Sequence, residues 1–405
     1  MNPARVAVVG GGPAGLMAAE TLVDAGIQVT VYDQARSFGR KFLLAGRGGL
    51  NITHSEPLDA FIGRYGPEAP LLERALRAFS PADLMSWCAG HGEETFVGTS
   101  GRVFPRSIRA TPLLRSWLQR LAASGVAMKT QHRWSGWNSD GELIFEVADR
   151  SHVHVGADAT IFALGGASWP RVGSNGGWAQ HFVAAGIEVA DFTATNCAAG
   201  VDWSTVMLER FEGEPIKNAI FSVGSEAVRG DAVVTSFGLE GGPIYAHSRA
   251  LRELITAGAA AVVEIDTHPD LTAEGLITRL NKRRPGATTS RWLSAAKVAP
   301  ITVSLLREAT DNNIPADPAV VASLLKALPI EVTKLAPLDR AISSAGGIVF
   351  AELDDSLMVR SMPGVFVAGE MSDWEAPTGG YLLQACMSTG VAAAKGVVNW
   401  LGAQR

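Results

Sequence analysis

One stretch near the start of the chain restricts the fold more than any other. Val6-Ala7-Val8-Val9 reads as an apolar strand running into Gly10-Gly11-Gly12. Pro13 then opens a helix where its missing N–H costs nothing, and a second apolar run from Gln28 to Tyr32 ends in Asp33. Gly10 permits the tight turn, Gly12 leaves room for a pyrophosphate against the backbone, and Gly15 lets helix and strand pack closely, with the helix N-terminus facing the anion. Asp33 stands at about the 20-residue offset where a carboxylate accepts bonds from adenosine ribose hydroxyls. A lone GxGxxG is weak evidence, but here strand, turn, helix, second strand and acidic terminus fall in order. Gly10, Gly12, Pro13, Ala14, Gly15, Asp33 and Gln34 are therefore candidate contacts to a bound dinucleotide.

With 405 residues and an apolar fraction of 47%, the chain can fill two or three domain cores. A net charge of −5 gives no global basic field, which argues against a dedicated nucleic-acid binder and leaves only local basic clusters open. The first residues lack a charged segment, apolar segment and cleavage site in succession, and no apolar run reaches the ~18 residues of a membrane span, so the cytoplasm is the expected location. Cys88, Cys197 and Cys386 are isolated, which argues against a thiol–disulfide relay or a structural zinc and reads as small buried apolar residues.

Arg36 to His54 is rich in glycine, arginine and asparagine without a period, as expected of a loop that approaches a ligand. A helix is expected from a Ser80 cap to about Ala89, and another from Thr111-Pro112 to Ser124. Between them, Arg102, Arg106 and Arg109 crowd one short loop, with Arg115 and Arg120 following; they suit either an anionic substrate or a solvated face. Val126–Trp134 and Leu143–Ala148 alternate like strands of a small antiparallel layer, and Ala157 to Phe162 returns an apolar strand to Gly165-Gly166. From about Phe192 the composition turns to short β segments and then to helices near 272–284, 301–311 and 317–328, bounded by prolines. Gly364 to Asp373 reads as a buried strand ending in acids, and Pro377 to Gln384 opens a long last helix. No second GxGxxG follows another strand, so one resident dinucleotide and no separate nicotinamide domain are expected.

Five motifs occur in one order: the cradle, the Gly39–Asn51 loop, Ala163-Leu164-Gly165-Gly166-Ala167-Ser168-Trp169-Pro170, Phe237-Gly238-Leu239-Glu240-Gly241-Gly242-Pro243, and Ala368-Gly369-Glu370 through Gln384. Together they resemble the HI0933-like family of NAD(P)/FAD-dependent flavoprotein oxidoreductases, across nearly the whole chain. The resemblance implies an α/β fold: a Rossmann-like FAD-binding domain of residues 1–191 and 341–405, interrupted at 192–340 by a β-barrel-like and then helical insertion (about 270–328). It implies that the cradle and Asp33 hold the adenosine diphosphate part of FAD, that Arg40, Lys41, Arg47, Gly48, Gly49 and Asn51 line the path toward the flavin, that Gly369, Glu370 and Asp373 contact the ribityl or phosphate side, and that Gly379, Gly380, Tyr381 and Leu382 meet the ring. Trp134 and Gly165 join these cofactor candidates. Gly48-Gly49-Leu50-Asn51 replaces the family's common Gly-Arg-Cys-Asn, and Leu239-Glu240-Gly241-Gly242-Pro243 its Leu-Ser-Gly-Pro, which suggests a subgroup.

The N–H groups at Gly379 and Gly380 are expected to face the flavin edge where negative charge accumulates on reduction. The simplest cycle takes hydride from a transient NAD(P)H and delivers it to a small unsaturated substrate, which the resemblance points to as an activated C=C bond. Tyr381 and His54 are the candidate proton donors, with His247 a third. Two other functions stand beside this one: a flavin-dependent reductase of uridine in RNA, with Arg102–Arg120 and Asn281-Lys282-Arg283-Arg284 as phosphate contacts, and a non-catalytic flavin-binding sensor.

Overall fold

Valines fill Arg5–Val9 on both faces, which suits a strand covered on both sides, and it is the central strand of a parallel sheet. Gln28–Tyr32 pairs on one side and Ala159–Phe162 on the other, with Ala127–Lys129 and Val365–Val367 outermost. This strand order, with the first strand between the second and a returning one, is the open nucleotide-binding arrangement, whose crevice lies beyond the carboxyl ends of the strands. The fold is thus a mixed α/β structure, a parallel Rossmann core accompanied by antiparallel sheets. The computed structural model describes residues 4–46, 48–66 and 70–404.

The helix Pro13–Asp24 packs on this sheet, and the C-terminal helix Tyr381–Ala403 packs on Pro13–Asp24. Gly390 makes the helix–helix contact possible, since a Cβ there would lie 2.3 Å from the Ala14 carbonyl oxygen. Gly12 and Gly380 sit at the starts of these two helices, so the packing fixes where both glycine turns lie.

Three local expectations change. Arg40–Ala45 is a short helix rather than loop, begun by Gly39 in the left-handed conformation (φ +68°) and anchored by buried Phe42. Arg102–Pro105 is a strand rather than loop, the middle of a three-stranded antiparallel sheet with Thr53–His54 and Thr95–Val97; its alternation of buried Val103 and Pro105 with half-buried Arg102 and Phe104 was hidden by the arginines. Ala127–Lys129 joins the edge of the parallel sheet, and the small antiparallel layer is Arg133–Trp137, Leu143–Glu146 and His152–Val155.

The chain divides into two compact units, one running up to Thr193 and resuming at Ser343, the other Ala194–Ile342. In the second, consecutive neighbours of a seven-stranded sheet pair antiparallel. Helices Ala273–Leu280, Thr289–Ala295, Pro300–Ala309 and Pro318–Lys326 lie in this unit, with Thr272, Thr288 and Asp317 capping three of them. The first ends at Leu280, short of the expected 284, and Thr288 caps a separate helix, Thr289–Ala295, that the sequence reading did not expect. No described helix is long and apolar enough to cross a membrane.

Burial pushes the thiols of Cys88 and Cys386 up to about 12. At pH 8 only about one thiol in ten thousand is then ionised, and the thiolate is the reactive form. Iodoacetamide at pH 8 is expected to leave both cysteines unmodified in the folded protein and to alkylate them in guanidinium. Rapid labelling of either in the native state, read by peptide mass mapping, would contradict that burial.

Candidate functional site

The glycines of the first turn divide by what surrounds them. Gly10 holds φ +116°, and a Cβ on it would lie 2.2 Å from the Ala163 carbonyl oxygen. A Cβ on Gly15 would lie 1.9 Å from the Gly10 carbonyl oxygen, and one on Gly11 2.1 Å from the Phe38 ring. These three are glycine because protein occupies the space. Gly12 differs, since a Cβ there meets nothing within 4 Å. No side chain caps Pro13–Asp24 and no acid stands in its first turn. With Pro13 and Ala14 forming that turn, the helix end offers amide N–H groups and the positive end of its dipole to open space, an arrangement that accommodates a pyrophosphate.

Asp33 sits at the end of the second strand, and its carboxylate accepts the Gly11 N–H and the Ala35 N–H, each at 2.7 Å. Burial pushes its carboxyl above the usual range, against the pull of those two amides and of Arg40. Asp33 therefore shapes the glycine turn through the Gly11 N–H, in addition to any ribose contact, and Phe38, to which the sequence assigned no role, fills the space beside Gly11. Asp33→Ala is expected to destabilise the apoprotein by about 1–3 kcal/mol, with Asp33→Asn milder because an acceptor remains. A urea midpoint equal to the parent's would show that these two bonds contribute nothing.

Lys41 and Glu370, 329 positions apart, form an ion pair at 2.6 Å. Lys41 also donates to Ser168 at 2.9 Å, and Glu370 accepts the Ser344 N–H at 3.0 Å. Ser168, although it lies in one of the five motifs, and Ser344 were given no role by the sequence; only the fold brings them to this pair. Asp373 accepts the Gly346 N–H at 3.0 Å, and Gly369 donates to the Thr389 hydroxyl while its own Cβ position lies 2.9 Å from Ala14. These contacts gather the loop after the second strand, the Gly165–Ser168 segment and the Gly369–Asp373 segment beside the Gly12 turn.

Gly48 faces open space as Gly12 does, and Gly49 holds φ +113°. Asn51 carries a buried side-chain oxygen, and Thr53 a buried hydroxyl, that no described residue bonds. Unpartnered buried polar atoms cost free energy unless something meets them, so this strand fits a bound polar molecule. Arg40 is exposed, Arg47 lies outside the described residues, and Gln34 donates to the Gly173 carbonyl at 2.6 Å. The Gly165 carbonyl accepts the Trp178 indole N–H at 2.8 Å. Trp134 is buried in an aromatic cluster with Trp137, Phe162 and Phe182, and its indole N–H has no described partner.

At the start of the last helix Gly379 holds φ +128° and Gly380 φ +98°, and a Cβ on Gly380 would lie 2.5 Å from the Thr53 backbone. Gly380 is thus fixed by packing, and a carboxylate placed there would test folding rather than charge at a flavin. Leu382 is half-buried against Tyr65, Phe61 and Tyr381. Tyr381 stacks on His54 with centroids 5.5 Å apart, and its hydroxyl donates to Glu56. Burial first, and Glu56 second, push the Tyr381 phenol well above its ordinary value. Burial works to raise Glu56 too, but bonds from Arg64 and Tyr381 outweigh it and hold its carboxyl below the usual range. The His54 Nδ1 accepts the Glu56 N–H at 3.2 Å, which leaves its proton on Nε2, 3.0 Å from the Ser100 carbonyl. Each of the two expected proton donors therefore has its proton already accepted by the protein. His247 belongs to the second unit, fully buried, with Nε2 donating to the Phe221 carbonyl at 2.9 Å.

The expected arginine patch disperses. Arg106 pairs with Glu94 and Arg120 with Glu20, while Arg115 is exposed on the helix Ala110–Ala123.

The chain is similar in sequence to known proteins along nearly their whole length. The chain is 26% identical to a 3-dehydro-bile acid delta(4,6)-reductase of Clostridium scindens, covering 96% of this chain and 98% of that protein. It is 23% identical to a ribosomal RNA dihydrouridine synthase of Escherichia coli, covering 96% and 97%. The structure of a 3-ketosteroid delta1-dehydrogenase from Sterolibacterium denitrificans, with 1,4-androstadiene-3,17-dione, superposes with a TM-score of 0.53 at 12% identity over 98% of this chain and all of that one, a likeness of fold alone. The HI0933-like protein Rossmann domain matches residues 4–396, and the chain belongs to that family of FAD-dependent oxidoreductases.

Proposed function

We propose that this protein is an FAD-dependent reductase that takes hydride from NAD(P)H and reduces an activated C=C bond of a small unsaturated substrate. The observation that carries the reading is the end-to-end likeness to a 3-dehydro-bile acid delta(4,6)-reductase, joined to a cradle whose one open glycine is Gly12. The bound flavin supplies the two-electron hydride chemistry. Gly12, Pro13, Ala14 and Gly15 would hold the pyrophosphate, and Asp33 the ribose. Gly48, Gly49, Asn51 and Thr53 would line the way to the ring, and Gly379 its edge. The ion pair of Lys41 and Glu370 would clamp the segments on either side. Tyr381 and His54 we assign as positioning residues, because their protons are held by Glu56 and Ser100, and together they brace the Gly379–Gly380 turn against Thr53.

The test is anaerobic. Purified protein should bleach its flavin absorbance on addition of NADH or NADPH and recover it on addition of a conjugated enone, with the saturated ketone as product. A flavin that neither nicotinamide bleaches would reject the reductant, and a bleached flavin that no enone reoxidises would reject the substrate class.

A second reading, reduction of uridine in RNA, is favoured by one local feature. Between Gly275 and Arg307 there are seven Lys and Arg and no Asp or Glu, in a chain of net charge −5. Binding to ribosomal RNA that weakens steeply with salt, and that falls on charge-neutralising Lys282, Arg283 and Arg284 together, would favour it.

A further inference from the structure

The three-stranded sheet of Thr53–His54, Arg102–Pro105 and Thr95–Val97 has two unlike faces. Val103 and Pro105 point into the core, and Arg102 and Phe104 alternate onto the opposite face and stay partly open. Strand register extends that face sideways, because His54 lies opposite Arg102 and Phe96 opposite Phe104. The Phe96 and Phe104 rings stack with centroids 5.7 Å apart, and Phe96 is 37% exposed. At one border the Gly49 Cβ position comes 3.1 Å from Ile108 and 3.9 Å from Phe104; at the other, that of Gly379 comes 3.8 Å from the Arg102 Nε. The face therefore spans the distance between the glycine loop and the start of the last helix.

Two of its features have no structural partner. Among the described residues no carboxylate pairs with Arg102, although neighbouring Arg106 is paired with Glu94 and Arg64 with Glu56. A half-buried guanidinium is a planar fork of donors suited to carboxylate, sulfonate or phosphate oxygens. Ile108 holds φ +58°, a conformation that a β-branched residue adopts only under constraint, and its side chain is 47% exposed beside Gly49 instead of buried. The strain keeps an apolar side chain out over the loop, where the core gains nothing from it.

We propose that this face binds the substrate and selects planar apolar molecules that carry an anionic group, with the apolar body on Phe96, Phe104 and Ile108 and the anion on Arg102. The inference rests on the reductase reading and adds the substrate's chemical class to it. The probes are 8-anilinonaphthalene-1-sulfonate and its uncharged counterpart N-phenyl-1-naphthylamine, titrated into the flavin-loaded protein and read by fluorescence. The parent is expected to prefer the sulfonate by about tenfold, as a charge-assisted bidentate contact gives. Arg102→Met should remove that preference and leave affinity for the neutral probe within about twofold, since the apolar contact is kept. Phe96→Ser should weaken both probes. Arg102→Lys, which keeps a charge without the fork, should retain only part of the preference and serves if Arg102→Met does not fold. An unaltered preference in the folded Arg102 variant, or unaltered binding of both probes by Phe96→Ser, overturns the assignment. Neither probe is reduced, so the two readings fail separately: intact probe behaviour without enone turnover rejects only the reductase, and turnover with an unaltered KM in Arg102→Met rejects only this face.

Discussion

Replacing Gly12 by valine is expected to give a folded, colourless protein. Gly12 holds φ −84° and ψ −176°, extended backbone that valine adopts without strain, and its Cβ direction is empty to 4 Å. The Cβ therefore meets no protein atom beyond its neighbours in the chain and enters the open space at the helix end. FAD affinity should fall at least about 100-fold, near 2.8 kcal/mol, because the diphosphate loses its approach to the amide groups. Gly15→Val is the contrasting control, since its Cβ would lie 1.9 Å from the Gly10 carbonyl oxygen and should prevent folding. Flavin absorbance after gel filtration, beside the far-ultraviolet circular dichroism of each variant, distinguishes the outcomes. A yellow Gly12→Val protein with the parent's affinity would place the pyrophosphate elsewhere.

Breaking the Lys41–Glu370 pair should produce the second large effect. The Glu370 side chain is only 8% exposed, and Lys41→Met would leave its carboxylate accepting the Ser344 N–H with no cation beside it among the described residues. Removing one partner of a buried pair costs 3–5 kcal/mol; Lys41 is 29% exposed, so about 2–4 kcal/mol is expected here. Glu370→Gln, which keeps the Ser344 bond, should cost less, and adding it to Lys41→Met should recover part of the loss, since no unpaired carboxylate then remains. Urea unfolding of the two single variants and the double variant measures this coupling. Strict additivity would mean that the pair is an exposed contact of little consequence.

The parts of the fold legible in the sequence are those where one local requirement admits few residues. A strand, a glycine turn and Pro13 at a helix start can be read from a dozen neighbouring positions, and the long last helix was announced by Gly379-Gly380 after Pro377. Arg102–Pro105 was not legible, because two of its four residues, Arg102 and Pro105, are types that local patterning assigns to loops, and its strand character comes from pairing with two earlier strands, Thr53–His54 and Thr95–Val97.

What the sequence determined by itself is the nucleotide-binding half of the reading: which glycines form the turn, which acid ends the second strand, and that one such cradle is present. It could not distinguish Gly12, open to a ligand, from Gly10, Gly11 and Gly15, which are filled by Ala163, Phe38 and the turn's own backbone. Nor could it show that Lys41 meets Glu370, that the Tyr381 hydroxyl donates a hydrogen bond to Glu56, or that Arg102 stands without a carboxylate partner among the described residues beside Gly379. Those are contacts across tens to hundreds of positions, and residue type fixes only what a side chain can bond. Which atom it actually meets, and which is left for a ligand, is decided when packing of the last helix on the first brings the loops together.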